Sequence, residues 1–154
     1  MAQSDPLTSL TSREAVADTL YRCILGIDTN DRDLFESACL KEESTTVVAG
    51  PNTIQGWNAI SQYMSRVFLV VTTHYITNIR VELKDNANAA FMTAHAIAYH
   101  IRPDDAFKPE DTSYTVGGLY FIDLVKDSTD GWWKIKRWEM KIQWTSGDKA
   151  VLHG

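Results

Sequence analysis

The chain has 154 residues, of which 44% are hydrophobic and 23% charged, and these values are ordinary for one soluble globular domain. Its formal net charge of −5 argues against nucleic acids and anionic membranes as partners. We find no apolar run of transmembrane length and no signal-peptide pattern. We therefore expect one cytoplasmic domain over 1–154, with a loose leader at 1–10 and a C-terminal tail at 145–154.

The first part of the chain is predicted to be mainly helical. "TSRE" at 11–14 fits a capping box, and apolar residues recur at helical spacing from Val16 to Ile27. A first helix should therefore begin at the capping box and end near Asp28. The elements that follow are a short helix, a strand, a turn and a third helix, at 31–40, 44–50, 51–52 and 56–68.

The second half changes character and is predicted to form four long strands. These segments are rich in β-branched and aromatic residues, are separated by turn signals, and span 71–85, 88–102, 112–127 and 131–144. The pair Gly117-Gly118 could mark a bend. The order of elements predicts an α+β fold: a cone-shaped, curved antiparallel sheet (an α+β barrel), with three helices closing its concave face. The open mouth of such a cone suits a small molecule.

Asp28 continues the apolar face of the first helix one turn after Ile24, whereas Asp31 is better placed to cap the second helix. An inward carboxylate needs a partner, because an isolated buried charge is costly. A histidine is suitable, since the carboxylate fixes the ring tautomer and leaves the other nitrogen as a general base. The alternatives are a cap role for Asp28 and, for His74, a strand histidine satisfied by a carbonyl group or by solvent.

Strand alternation assigns the remaining candidates to faces. His95 and His100 are an odd number of residues apart and fall on opposite faces, so at most one should reach the pocket; a structural or surface role is the alternative for each. His153 is next to last in the chain and is expected to be exposed. The residues predicted to share a strand face with His74 are Thr72, Ile76, Asn78 and Arg80. Those grouped as one face of the last strand, either pocket wall or core, are Trp132, Trp138, Met140, Ile142 and Trp144.

Other kinds of catalytic site have no sequence support. There is no GxSxG, P-loop, GxGxxG or HExxH motif. Cys23 and Cys39 form neither a CxxC motif nor a zinc pattern, and we expect two free thiols. We predict no metal ligands.

Three segments resemble the SnoaL-like group within the nuclear-transport-factor-2-like cone fold, and the likeness runs over roughly 12–145. "GIDTNDRDLFES" (26–37) is similar to the segment of scytalone dehydratase that carries its catalytic aspartate. "THYITNIRVEL" (73–83) is similar to the segment of hexachlorocyclohexane dehydrochlorinase that carries its catalytic histidine. "GGLYFIDLVKDSTDGWWKIKRW" (117–138) resembles the closing hairpin of that enzyme and of bile-acid 7α-dehydratase.

The resemblance implies an Asp–His dyad that needs no metal and no cofactor. His74 would be the general base, Asp28 its orienting partner, and His100 an acid that helps a hydroxyl group to leave. The chain departs from these relatives at Cys23, where the dehydrochlorinase has lysine and the bile-acid enzyme tyrosine. It also departs at Trp138, near a dehydrochlorinase arginine, and at Ile27, where scytalone dehydratase has tyrosine. These departures argue against dehalogenation and for a bulky, apolar substrate.

We therefore expect a cofactor-independent, dehydratase-like lyase or isomerase acting on a hydrophobic small molecule in secondary metabolism. The alternatives are a natural-product cyclase in the same pocket and a non-catalytic binding or interaction module. A homodimer is expected, with a trimer as the alternative. The predicted substrate-binding residues are Cys23, Ile27, Trp57, Tyr63, His95, Tyr114, Trp138, Met140 and Trp144.

Overall fold

The computed structural model describes residues 7–84, 86, 88–108 and 112–154. Most of the predicted leader and the last residue of the predicted strand 71–85 lie outside these residues. The helices are α1 (Ser12–Asp28), α2 (Arg32–Ser37), α3 (Trp57–Val67) and α4 (Ala150–His153). The strands are β1 (Thr46–Ala49), β2 (Asn52–Gln55), β3 (Val71–Lys84), β4 (Ala89–Ile101), β5 (Tyr114–Lys126) and β6 (Trp133–Gly147). Among the described residues, no helix combines the length and hydrophobicity that crossing a membrane requires.

The two N-terminal helices begin at the predicted caps. The Thr11 hydroxyl accepts from the Glu14 backbone N–H, and the Glu14 carboxylate accepts from the Thr11 backbone N–H at 2.7 Å, which completes the capping box. Asp31 caps α2 by accepting from the backbone N–H of Leu34 at 3.0 Å. The cap of α2 is therefore Asp31, and the Asp28 carboxylate makes its hydrogen bonds elsewhere.

The six strands form one curved, unclosed sheet in the order β2-β1-β6-β5-β4-β3. The four long strands are antiparallel to one another, and β1 and β2 form a short antiparallel hairpin. The expectation of a wholly antiparallel sheet is wrong at one junction, because β1 pairs in parallel with β6. These two strands lie far apart in the chain, so no tight turn forces them to run in opposite directions. The core lies between the inner sheet face and the helices α1 and α3.

Bulges change which side chains face the core. The register of β3 shifts between Thr77 and Arg80, where Asn78 adopts φ 54°. His74 and Ile76 precede the bulge and keep the predicted face. Asn78 and Arg80 do not share this face, contrary to strict alternation. The residues beyond the bulge that pack against the core are instead Ile79, Val81 and Leu83.

Strand β6 contains two such shifts, opposite Gly117–Gly118 and Asp123–Leu124. The first lies at the bend that the two glycines predicted. Trp138 and Met140 keep the inner face, but Trp132 and Trp144 fall outside it, so the predicted five-residue face is wrong at both ends. Each inserted residue reverses the alternation beyond it.

The C-terminal segment is ordered rather than a tail. Strand β6 continues to Gly147, and the short helix α4 follows it. Val151 of this helix is 7% exposed and anchors it against the rest of the domain. As a result, α4 lies at the edge of the cavity described below.

Gly26 allows α1 to approach α2 closely just before Asp28. A Cβ at this position would clash with the backbone N of Phe35 and would lie 2.8 Å from the Phe35 Cα and 2.9 Å from the Asp31 carbonyl oxygen. We expect Gly26→Ala to lower the free energy of unfolding by about 1–3 kcal/mol despite the better helix propensity of alanine. Urea unfolding measures the loss, and Gly154→Ala is the control because its Cβ would meet only an ordinary contact. An unchanged midpoint for Gly26→Ala would contradict this packing argument.

Candidate active site

Asp28 and His74 meet where the end of α1 lies against the start of β3. The Nδ1 atom of His74 is 2.6 Å from Oδ1 of Asp28, so the contact expected from the sequence is present. The backbone N–H of His74 donates to Oδ2 at 2.8 Å, and the Thr72 hydroxyl donates to Oδ1 at 2.7 Å. The His74 side chain is only 6% exposed. Asp28 therefore holds both the ring and the backbone of His74.

The Asp28 carboxylate determines which ring nitrogen of His74 carries the proton in the neutral imidazole. Burial of Asp28 favours its neutral form, but the hydrogen bonds from the side chain and backbone of His74 and from Thr72 outweigh this and lower the pKa of the carboxyl group. An ionised carboxylate only accepts hydrogen bonds, so Nδ1 of His74 carries the proton. In the neutral imidazole, the lone pair is then on Nε2.

His100 lies on the inner face of β4 and is 5% exposed. Its Nδ1 atom donates to the Tyr114 carbonyl oxygen at 3.0 Å, which leaves Nε2 free, and the His74 and His100 rings are 6.1 Å apart. Burial lowers the pKa of His100, the hydrogen bond to Tyr114 opposes this shift, and the nearby His74 and His153 add to it. Two imidazoles thus face one space, and neither Nε2 atom has a hydrogen-bond partner among the described residues.

That space is a cavity of about 370 Å³ inside the cone. Most of its wall is apolar, with small side chains such as Ala96 and Ala98 from β4 leaving room at its centre. Five of the predicted substrate-binding residues line it, namely Ile27, Tyr63, Tyr114, Trp138 and Met140. His74 and His100 line the same cavity, so the sheet brings together residues that are far apart in the chain.

Four predicted substrate-binding residues lie elsewhere. Cys23 is fully buried in the core beneath the cavity wall, and Trp57 packs on the ring of Phe35. His95 is on the outer sheet face, where its Nδ1 is 3.2 Å from the side-chain nitrogen of Asn78. Trp144 is 47% exposed and occupies the space that a Gly117 side chain would need. Helical spacing identifies an inward face but does not say whether that face meets packed side chains or a cavity.

The sequence interpretation missed several cavity residues. His153, set aside as a chain-end residue, lines the cavity together with Lys149 and Leu152 because α4 folds back. The apolar pair Val151-Leu152 was the available signal for this docking. Tyr120 was not missed: with Tyr63 and Tyr114, it is one of three tyrosines that could supply a phenol to polarise a carbonyl group, and all three line the cavity. The Tyr120 ring centroid is 5.2 Å from that of Trp138, and burial raises the pKa of its phenol. Within the described residues, Cys23 and Cys39 are free thiols and no three potential metal ligands cluster.

Acid should destabilise the protein through His100. Its folded-state pKa lies below the usual value of 6.5, so the unfolded chain binds more protons as the pH falls through 6.5, and the free energy of unfolding decreases. Urea unfolding between about pH 7.5 and pH 5.5 should show this loss, and His100→Gln should reduce it. His95→Gln, the same change on the outer face, should keep the wild-type profile. A His100→Gln profile identical to wild type would contradict the assignment.

Comparisons with known proteins agree with this architecture. Solved structures with the same fold include a protein assigned as a scytalone dehydratase from Novosphingobium aromaticivorans DSM 12444, with a TM-score of 0.74, 22% identity, and 88% of this chain and 86% of that chain covered. A type 3 hexachlorocyclohexane dehydrochlorinase from Novosphingobium barchaimii LL02 gives a TM-score of 0.70 at 18% identity, with 90% of both chains covered. An NTF2-like superfamily protein from Salmonella enterica gives a TM-score of 0.73 at 14% identity, with 90% of this chain and 95% of that chain covered.

These similarities show that the chain has the cone fold that the sequence predicted. The profile of the SnoaL-like domain matches residues 8–139, and the chain belongs to that family. A curated relative, terrestric acid biosynthesis cluster protein E from Penicillium crustosum, is 39% identical over 145 residues, which cover 94% of this chain and 91% of that protein.

Proposed function

We propose that the protein is a cofactor-independent lyase or isomerase of the dehydratase type, acting on a mainly apolar biosynthetic intermediate. The observation that carries the proposal is the Asp28–His74 pair, joined at 2.6 Å, with His74 lining an apolar cavity. General bases act through an atom that the substrate can reach, and Nε2 of His74 is the ring atom left unpaired. The relative from a terrestric acid biosynthesis cluster supports a biosynthetic small molecule as substrate.

In the proposed elimination, Nε2 of His74 removes a proton from a carbon of the substrate. The electron pair of that C–H bond forms the new double bond, and the C–O bond to a neighbouring hydroxyl group breaks. Because burial lowers the pKa of His100, the acid would be the small protonated fraction of this ring, which donates its Nε2 proton to the departing oxygen, so water leaves. His74 ends protonated and His100 neutral, and transfer of one proton from His74 to His100 through solvent restores the starting state. Asp28 stabilises the imidazolium that forms on His74.

Two aromatic side chains would position the substrate. The buried Nε1–H of Trp138 has no acceptor among the described residues, and a substrate oxygen at this wall would supply one. Tyr120, next to Trp138, would present a neutral phenol because its pKa is raised by burial. Donors directed at a carbonyl oxygen would acidify the neighbouring C–H bond, which is the help that a histidine base requires.

The proposal is tested by screening hydroxylated biosynthetic intermediates, especially β-hydroxy carbonyl compounds, for loss of water by mass spectrometry. Product should form with the wild-type protein and not with His74→Gln. Activity that survives in both His74→Gln and Asp28→Asn would instead favour the cyclase, whose rate depends on shape and orientation rather than on a base. Binding without turnover across the screen would favour the non-catalytic module.

A further inference from the structure

The cavity opens to solvent at α4, where the lining residues Lys149 and His153 are exposed, and a row of rings connects this edge, called the mouth below, with the dyad. The His100 ring lies 6.1 Å from His74, the Tyr114 ring 6.0 Å from His100, and the His153 ring 5.9 Å from Tyr114. All four residues line the same cavity. A molecule that touches Nε2 of His74 therefore has a continuous wall to follow to α4.

The charges bordering this cavity have one sign. Its basic residues are Lys141, Lys149 and the three histidines His74, His100 and His153, and no aspartate or glutamate borders it among the described residues. The side chain of Lys141 belongs to the outer sheet face, since it lies between the inner residues Met140 and Ile142. The positive charge at the opening therefore comes from α4. This is unusual in a chain whose acids outnumber its lysines and arginines, with a net charge of −5.

The cations at the mouth have no acidic partner. Neither Lys149 nor Arg66 of α3 forms an ion pair within the described part of the chain. Asp148 is adjacent to Lys149, but its carboxylate accepts from Arg102 at 3.1 Å and from the Ala150 backbone N–H at 2.9 Å. Burial lowers the pKa of His153, and the positive charges of Lys149 and Arg66 lower it further. These side chains are thus close enough to repel another positive charge, and an anion would relieve the repulsion.

We propose that the substrate is an organic acid whose carboxylate binds Lys149 at the α4 edge of the cavity, next to His153 and with Arg66 of α3 nearby, while its apolar body extends inward to His74. The proposal rests on the proposed function, because it assigns the substrate class of the same cavity. Charge complementarity at an opening both selects and steers an anionic ligand. The apolar interior explains why only the end of the molecule at α4 would be charged.

The test compares acids with their neutral counterparts by isothermal titration of the full chain at low salt. The probes are 2-naphthylacetate and decanoate, each with its primary amide, which has a similar shape without the charge. Wild-type protein should bind the acids roughly 10-fold more tightly than the amides, and added salt should weaken only the acids. Lys149→Gln and Arg66→Gln should each reduce acid affinity about 2- to 5-fold and leave amide affinity unchanged.

Lys126→Gln is the matched control, because Lys126 is exposed at the far end of β5 and does not border the cavity. It should bind every probe as the wild type does. Equal affinity for acid and amide, a preference that survives in the Lys149→Gln/Arg66→Gln double variant, or no binding of either acid would each overturn the proposal. A neutral natural substrate would overturn it while the lyase proposal stands. Conversely, His74→Gln should keep the preference for acids, so binding and turnover can fail independently.

Discussion

Replacing His74 by glutamine is expected to lower kcat by about 10²–10⁴-fold, the usual contribution of a general base. The amide of glutamine has no basic nitrogen, yet it can still donate to the Asp28 carboxylate that now holds the ring at 2.6 Å. The loss should therefore appear in turnover, with substrate affinity and the free energy of unfolding nearly unchanged. Steady-state kinetics on the substrate found by screening, together with urea unfolding, measure both quantities.

His95→Gln is the matched control for this variant. Like His74→Gln, it replaces a strand histidine by glutamine, but His95 lies on β4, on the outer face of the sheet and away from the cavity. We expect wild-type kcat for His95→Gln. Equal losses in both variants would point to a general effect on the sheet, and full activity in His74→Gln would exclude His74 as the base.

Asp28→Asn is expected to lower kcat by a similar factor, about 10²–10⁴, through the tautomer of His74. The asparagine oxygen can accept from the His74 backbone N–H, which leaves its NH₂ group facing Nδ1. That group must then donate to Nδ1, so the ring proton moves to Nε2, the atom proposed to act as the base. The change removes the base without removing the imidazole.

Nitrogen NMR of the imidazole distinguishes this explanation from a loss of packing. His74 should carry its proton on Nδ1 in the wild type and on Nε2 in Asp28→Asn. Asp33→Asn, an exposed aspartate in the first turn of α2, should retain both the wild-type spectrum and the wild-type rate. An Asp28→Asn protein that is inactive but keeps the proton on Nδ1 would refute the tautomer argument.

The proposed roles divide one cavity into two functional ends. The inner end has the two imidazoles, and the outer end has Lys149 with Arg66 nearby, neither of which forms an ion pair among the described residues. A substrate held at both ends would present one bond to His74, which is how orientation contributes to rate. Homodimerisation stays a prediction, and the exposed rings of Tyr75 and Tyr99, 6.1 Å apart on the outer sheet face, are where we would look for the interface.

Much of this protein could be predicted from local sequence patterns. The capping box at Thr11, the cap at Asp31 and the alternation along β4 each depend on neighbours within a few residues, and each is present in the structure. The inward position of Asp28 followed from helical spacing. Strand alternation also decides which of His95 and His100 faces the cavity, once one inward-facing residue of β4 is known, because β4 has no bulge.

Tertiary structure decided the rest. The bulges in β3 and β6 reverse the alternation, and they depend on how neighbouring strands curve around the core, which moved Trp144 out of the cavity. Docking of α4, which brought His153 and Lys149 to the mouth, depends on burial of Val151 against residues far away in the chain. The parallel pairing of β1 with β6 likewise has no local signal. The sequence by itself indicated the long helices and strands, but it predicted a turn where β2 begins and a tail where α4 lies. The family resemblance pointed to Asp28 and His74 as a pair. Long-range packing determined which other residues share their cavity, because it joins segments whose local patterns are independent of one another.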